Sequence, residues 1–438
     1  MIKITVIGTG YVGLVSGAGI SDFGHNVTCV DINEEKVAQL NSGIIPIYEP
    51  GLKNLVMRNI DANRLTFSNN IAQEIQAADV IFIAVGTPQS KDGQADISAV
   101  ETVAIEIGKN IKSYKVICTK STVPVGTGKR ICNLVKSKMK DNFDFDYVSN
   151  PEFLREGSAV KDFLWPDRVV IGATSDKAFQ VMRNVYRPLY KNEKPILHTN
   201  VATAEMIKYA ANAFLALKIS YINEVANLCE EVGADVHQVA NAMGKDGRIS
   251  PKFLHPGPGF GGSCFPKDTL AFAALSRQNG IQMNTIEAAI LTNQIQKKRM
   301  CDKIKTLLGG ELKGKTIAIL GLAFKPNTND VRDSSSIEMI RSIIDSGGVV
   351  NAYDPIANVE MAEIFPDIKY YKSWELACRD VDGIAIMTDW NEFRGMDLNL
   401  LKSLMKTPIV LDTRNILSVE NLTELDFIFD NVGRGLSL

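Results

Sequence analysis

The chain has 438 residues, more than one ordinary core serves, so two to three domains are expected. Charged residues make up 22% of it and the formal net charge is -2, so no global field draws it to nucleic acid or an anionic membrane, and any anionic ligand must be met by local cations. Seven cysteines, an odd number with no Cys-x-x-Cys pair, argue for thiols in a reducing cytoplasm and against a disulfide framework, while His25, His198, His237 and His255 offer no metal-binding pair at helical spacing.

No apolar run approaches the about 18 residues that span a bilayer. A strand begins at Ile2 and leaves no room for a signal peptide. A soluble cytoplasmic protein without a metal is expected. Residues 2–7 are β-rich and lead into Gly8-Thr9-Gly10-Tyr11-Val12-Gly13, then into a small-residue helix that runs through Ala18 to Phe23. A second strand, 26–30, ends in Asp31. Gly-x-Gly-x-x-Gly between a strand and a helix, with an acid about 20 residues on, is a dinucleotide signature: each glycine has a steric task and the helix N-terminus receives the pyrophosphate. Asp31 would accept hydrogen bonds from ribose hydroxyls and repel a 2′-phosphate, which favours NAD over NADP. Lys36 either touches that ribose or faces solvent.

Strands at 79–85 and 115–119 end in Gly86-Thr87-Pro88 and Ser121-Thr122-Val123-Pro124. Ligands of open parallel sheets lie beyond the carboxyl ends of the strands, so Thr87, Ser121 and Thr122 are either ligand contacts or ordinary turn residues. The strand from Asp146 runs into Asn150-Pro151-Glu152-Phe153-Leu154-Arg155-Glu156-Gly157. If that loop continues as a helical turn, Glu152 and Glu156 point to one side; otherwise they are a solvated acid pair.

Residues 201–232 read as one helix, apolar on nearly every face, and such a helix is expected to be buried all round, here by sharing with a second subunit. Lys208 and Asn212 stand out as its polar residues, one turn apart. Lys208 either snorkels to solvent or points a desolvated ammonium into the active site. Three prolines and two glycines in residues 247–258 exclude regular structure, and Arg248 and Lys252 there suit a phosphate-bearing ligand. Next comes Gly259-Phe260-Gly261-Gly262-Ser263-Cys264-Phe265-Pro266-Lys267-Asp268. A cysteine beside glycines and a cation is either a reactive thiolate or a small buried hydrophobe in a turn.

A second βα series has strands at 316–321, 349–353 (ending at Asp354), 383–388 and 408–411 (ending at Asp412). Its first turn, Gly321-Leu322-Ala323-Phe324-Lys325-Pro326, lacks the second and third glycines, so it cannot grip a pyrophosphate in the NAD manner and a different nucleotide is expected. Lys325 and Arg332 are then phosphate or cofactor contacts, or solvated surface charge. The fold class expected is α/β, with two doubly wound Rossmann-like domains at 1–199 and 313–438 joined by a central helical dimerisation segment at 200–308 that carries the cysteine.

From Gly8 to about Arg414 the chain resembles the nucleotide-sugar dehydrogenases of the UDP-glucose/GDP-mannose dehydrogenase family. The resemblance is carried by the glycine turn with Asp31, Gly86-Thr-Pro88, 150–156, Lys208-x-x-x-Asn212, 259–268 and 321–332. It implies a four-electron oxidation of the C6 alcohol of UDP-glucose to UDP-glucuronate, a polysaccharide precursor, with two NAD+ per sugar. Cys264 would capture the intermediate aldehyde as a thiohemiacetal and carry it on as a thioester. Lys208 and Asn212 would stabilise the oxyanion, Asp268 would orient water or share protons with Lys208, and Glu152 would serve as general acid-base in hydrolysis. The resemblance also implies that Thr122, Glu156, Lys267 and Arg332 lie near NAD. Phe153, Leu154 and Arg155 belong to its substrate motif; Phe253, Leu254, His255, Pro256 and Gly257 line the UDP-sugar site with Phe260, Gly261, Phe324 and Lys325. Arg248 would reach a neighbouring subunit's sugar, so at least a homodimer is implied, and Arg414 is a weaker substrate candidate. Asn329 departs from the family, standing where many relatives carry an acid. Other readings are a GDP-mannose or UDP-N-acetylmannosamine dehydrogenase (the latter with a histidine where this chain has Ser263), a two-electron hydroxyacid dehydrogenase with Cys264 idle, and a nucleotide sensor.

Overall fold

The structure is a computed structural model that describes residues 1–90, 93–191 and 194–434. Its contacts divide the chain into two compact units, Met1–Ala211 and Asn212–Leu438. The boundary falls inside the 32-residue helix Val201–Val232.

The first unit is built on an eight-stranded sheet: β1 Lys3–Ile7, β2 Asn26–Val30, β3 Leu65–Ser68, β4 Val80–Ile83, β5 Lys115–Thr119, β6 Phe145–Ser149, β7 Val169–Ala173 and β8 Ile196–Thr199. Their order is β3-β2-β1-β4-β5-β6-β7-β8, with only β7 antiparallel to its neighbour β6. Strands of a parallel sheet are covered on both faces and so read as continuous apolar runs; Val80-Ile-Phe-Ile83 is buried at all four positions. The order reverses between β1 and β4, which opens a crevice at the carboxyl ends of those strands.

The second unit has β9 Thr316–Leu320, β10 Val349–Tyr353, β11 Lys369–Tyr370, β12 Gly383–Ile386, β13 Ile409–Asp412 and β14 Ile428–Asp430. All are parallel, in the order β11-β10-β9-β12-β13-β14, the same winding as the first six strands of the other sheet. The doubly wound α/β class expected from the sequence is the one observed.

Two local features bear on the expectations. Residues 150–157 contain no helical turn, because Pro151 denies a backbone donor and Gly157 takes φ 78°, so Glu152 and Glu156 share no helix face. The long helix is not buried all round within its own chain: Phe214, Tyr221 and Leu228 are 60%, 49% and 62% exposed at seven-residue spacing. Nor are Lys208 and Asn212 alone in polarity, since Lys218, Ser220 and Asn223 of the same helix bind backbone carbonyls and amides of its own unit.

Candidate active site

Cofactor turn and acid loop, Met1–Ala211

Gly8 follows β1 with φ 101°, and its N–H donates to Val30 O at 2.8 Å. A Cβ there would lie 2.7 Å from Ala84 O, and one on Gly13 would lie 1.9 Å from Gly8 O. Only glycine lets the turn close this tightly on the end of β4. A Cβ on Gly10 would meet nothing within 4 Å, leaving the face above the helix Tyr11–Asp22 open to a diphosphate at its N-terminus. Val12 lies in that helix's first turn.

Asp31 receives Thr9 N at 3.1 Å, Thr9 Oγ1, Asn33 N at 3.1 Å and Lys36 Nζ at 3.1 Å. Burial alone would raise its carboxyl, but the bonds from Thr9, Asn33 and Lys36 hold it below the usual range. It is therefore an anion fixed at the end of β2, where a ribose diol would be recognised, and Lys36 sits on it rather than in solvent. These residues fit NAD.

Thr87 and Ser121 are tied into the turns that carry them. Thr87 Oγ1 donates to Thr122 O at 2.9 Å and Ser121 Oγ to Val85 O at 2.6 Å, lacing the ends of β4 and β5 together. Gly86, Pro88 and Thr122 lie in the same two loops beyond those strands.

Glu152 is 6% exposed, accepts from Leu154 N, and pairs with Lys208 Nζ at 2.9 Å. Lys208 is 3% exposed, so it does not snorkel. Its ammonium also stands 5.4 Å from the Phe153 ring, which Arg168 covers at 3.6 Å. The pair fixes both side chains in one geometry, from which a carboxylate can accept a proton and an ammonium can stabilise an oxyanion. Leu154 packs on the first core. Arg155 turns to Asp162, with Nη2 at 2.6 Å from Oδ1. Glu156 is half-buried.

Cysteine loop and second turn, Asn212–Leu438

Cys264 is half-buried at the N-cap of the helix Phe265–Gln278, with Pro266 in its first turn and Ser263 Oγ at 3.6 Å from Sγ. Helix N-termini favour anions, here a thiolate. One turn on, Asp268 is wholly buried; its Oδ2 accepts from Asn212 Nδ2 at 2.6 Å and its Oδ1 from Lys267 Nζ at 2.6 Å. Lys267 is thus committed to Asp268, and Asp268 to Asn212.

The loop before the cysteine is pinned from several helices. Lys218 Nζ donates to Lys252 O at 2.6 Å, Asn223 Oδ1 accepts from Gly257 N at 2.8 Å, Gln296 Nε2 donates to Gly257 O at 2.9 Å, and Asn293 exchanges two bonds with Phe260. A Cβ on Gly261 would fall 2.3 Å from Asp333 O. Leu254, Pro256, Gly257 and Phe260 are buried, His255 is exposed, and Phe253 meets Phe265 edge-on at 6.0 Å.

Gly321 repeats Gly8: φ is 91°, its N–H donates to the last residue of the neighbouring strand at 2.8 Å, and its missing Cβ makes room for Thr388, just beyond the end of β12. The acid after β10 is used differently from Asp31. Asp354 is 2% exposed and accepts from Leu322 N, Ala323 N, Ile356 N, Ala357 N and Trp390 Nε1. Its carboxylate already occupies amides of the turn, which, with the missing glycines, sets this turn apart from the NAD manner of gripping a pyrophosphate.

Lys325 stands 5.2 Å from the Phe324 ring. Arg332 and Arg248 are exposed and pair with Asp330 and Asp246. Arg414 donates to Met387 O and Phe324 O at 2.7 and 3.0 Å, bracing the second turn. Asn329 donates to Glu360.

Sequence reasoning missed Glu49, Lys120, Glu205, Asn293, Gln296 and Asp354. Lys120 is buried, reaches Asn150 Oδ1 at 3.1 Å and Tyr186 Oη at 3.4 Å, and is pulled by burial down to about 8. Polar side chains inside apolar runs were the available signal for Asn293 and Gln296, and the end of a strand for Asp354; nothing local marks the other three.

Family models of the UDP-glucose/GDP-mannose dehydrogenase family match the chain in three stretches: the NAD binding domain at residues 2–190, the central domain at 202–295 and the UDP binding domain at 318–419. A UDP-glucose 6-dehydrogenase of Bacillus subtilis (strain 168) is 50% identical over 435 residues, covering 99% of this chain and 94% of the relative. One from Rhizobium meliloti (strain 1021) is 47% identical with 99% of each covered. The solved UDP-glucose dehydrogenase of the hyperthermophilic archaeon Pyrobaculum islandicum superposes with a TM-score of 0.90 at 38% identity, covering 95% of each chain. With an NAD-type glycine turn, a cysteine at a helix N-terminus and these matches along nearly its whole length, the chain belongs to the UDP-glucose/GDP-mannose dehydrogenase family.

Proposed function

We propose that the chain oxidises the C6 alcohol of UDP-glucose to the carboxylate of UDP-glucuronate, reducing two NAD+ per sugar. The observation that carries the reading is Cys264, half-buried at a helix N-terminus one turn from buried Asp268. A simple two-electron alcohol dehydrogenase has no use for such a nucleophile.

NAD+ bound at the β1 turn supplies the hydride acceptor for both oxidations. Cys264 adds as thiolate to the aldehyde left by the first oxidation, forming the thiohemiacetal, and loss of a second hydride from the same carbon leaves the thioester. Lys208 and Asn212 donate to the oxyanion of these species, Asn212 being oriented by Asp268 at 2.6 Å. Glu152 takes the proton of the water that releases the acid and restores the thiol. Arg248, Lys325 and the 253–261 loop serve the UDP-sugar. The working unit is a homodimer, in which a second copy covers the exposed row Phe214, Tyr221 and Leu228. Leu291 and Ile295 extend that row, being 56% and 55% exposed on the helix Asn284–Leu307, which runs alongside.

The test is NADH formed per sugar with limiting UDP-glucose, GDP-mannose or UDP-N-acetylmannosamine. Two NADH from UDP-glucose and little from the others are expected, and Cys264→Ala should lose that stoichiometry and nearly all turnover. One NADH per sugar, or a Cys264→Ala variant that keeps most of its turnover, would remove the thioester route; activity only with another sugar would overturn the substrate.

A further inference from the structure

Glu49 belongs to none of the motifs of the cofactor turn, yet it reaches into it. It precedes the Pro50-Gly51 turn that opens the helix Leu52–Asp61, and is 6% exposed. Its carboxylate accepts from the Tyr11 hydroxyl, from Gly157 N at 2.6 Å and from Ala159 N at 2.7 Å, and Gly157 N also reaches Tyr11 Oη at 3.1 Å. Tyr11 lies inside the glycine turn, while Gly157 and Ala159 follow directly on the loop that carries Glu152 and Glu156. Glu156 is close enough to Tyr11 for its charge to help push that phenol up, behind burial and Glu49 as causes. One buried carboxyl group therefore ties the cofactor turn to the acid loop, segments 146 residues apart in sequence.

Burying a carboxylate is costly unless every acceptor position is used, and here the donors come only from those two segments. We infer that Glu49 is a positioning residue for the reaction: through Tyr11 and the amides of Gly157 and Ala159 it holds the Glu152–Glu156 loop in register with the bound dinucleotide. The link to NAD rests on the family's NAD-binding domain, and the effect on turnover rests on the role proposed for Glu152.

In Glu49→Gln one acceptor becomes an amide donor facing a backbone N–H, so the register loosens while the volume is kept. The experiment compares the wild type, Glu49→Gln, Tyr11→Phe and the double variant, with NAD+ affinity measured by calorimetry and kcat with UDP-glucose, below the Tm of each. Glu49→Gln is expected to weaken NAD+ about tenfold and to lower kcat about 10- to 100-fold, the scale of a small misplacement of catalytic groups. Tyr11→Phe should weaken NAD+ in the wild type and add little once Glu49 is Gln, because both changes break one network. A Glu49→Gln protein that loses stability but keeps wild-type NAD+ affinity and kcat overturns the inference, as do additive effects. If Glu49→Gln does not fold, Glu49→Asp keeps the charge, shortens the reach and is held to the same outcomes. Should the wild type make no NADH from UDP-glucose, the proposed reaction fails, while the NAD+ affinity cycle still decides the role of Glu49.

Discussion

Glu205, on the long helix three residues before Lys208, is 2% exposed and caps a different helix: it accepts Gly126 N at 2.7 Å and Gly128 N at 2.8 Å at the start of Thr127–Lys138. Through that cap it anchors the loop that carries Ser121 and Thr122. Burial raises its carboxyl from 4.5 to about 7, against the two amide bonds, which lower it. The folded protein therefore binds a proton more tightly than the unfolded chain. Stability from this group is complete below about pH 4.5 and is lost as pH rises to about 7, a difference of about 3 kcal/mol. A Glu205→Gln variant does not titrate, so the Tm of the wild type relative to the variant should fall between about pH 5 and pH 7.5. Parallel Tm profiles across that window would show that the carboxylate keeps its charge throughout.

At the scale of the element, the two βα turns share a backbone and differ in what the acid after the second strand is free to do. Asp31 has hydrogen-bond partners on its own turn but keeps a side chain 15% exposed, enough to meet a ribose. Asp354 is enclosed by five donors. Removing it by Asp354→Ala leaves buried N–H groups without an acceptor, which should cost about 3 kcal/mol, seen as a lower Tm with unchanged NAD+ affinity. Asp31→Ala should do the reverse, weakening NAD+ about ten- to a hundredfold with a small change in Tm. Calorimetric binding and thermal melts on both variants separate the two roles, and equal effects on NAD+ would contradict the division of labour.

For the whole molecule, the apolar row on the long helix is the feature a single chain leaves unsolved. Phe214, Tyr221 and Leu228 repeat every second turn, and a contiguous exposed apolar strip of this kind marks an interaction surface. Leu228→Asp puts a charge on that strip, where an interface would desolvate it. Sedimentation is expected to show a dimer for the wild type and a shift to monomer for the variant; an unchanged mass would mean that another surface assembles the protein.

Short-range features were legible in the sequence because their physics is short-range. Apolar, β-branched runs placed β2, β5 and β10 at their observed bounds, and steric need for glycine located both turns. The same sterics told the NAD turn from its glycine-poor counterpart. Lys208, Asn212, Cys264 and Asp268 stood out by residue type, but their partners did not: Glu152 meets Lys208 and Asp268 meets Asn212 across 56 residues in each case. Within its own unit Asp268 pairs with Lys267, and Lys208 in its unit pairs with Glu152. Glu49 and Glu205 carried no local signal, each being an ordinary acid in sequence, and Asp354 showed its place at a strand end but not the five donors it accepts from. What the sequence by itself determined is the pair of doubly wound sheets, the dinucleotide turn and the glycine-rich loop that carries Cys264. Only the tertiary structure decided which buried charges pair, because that depends on which strand ends and helix starts the closed fold brings within hydrogen-bond reach.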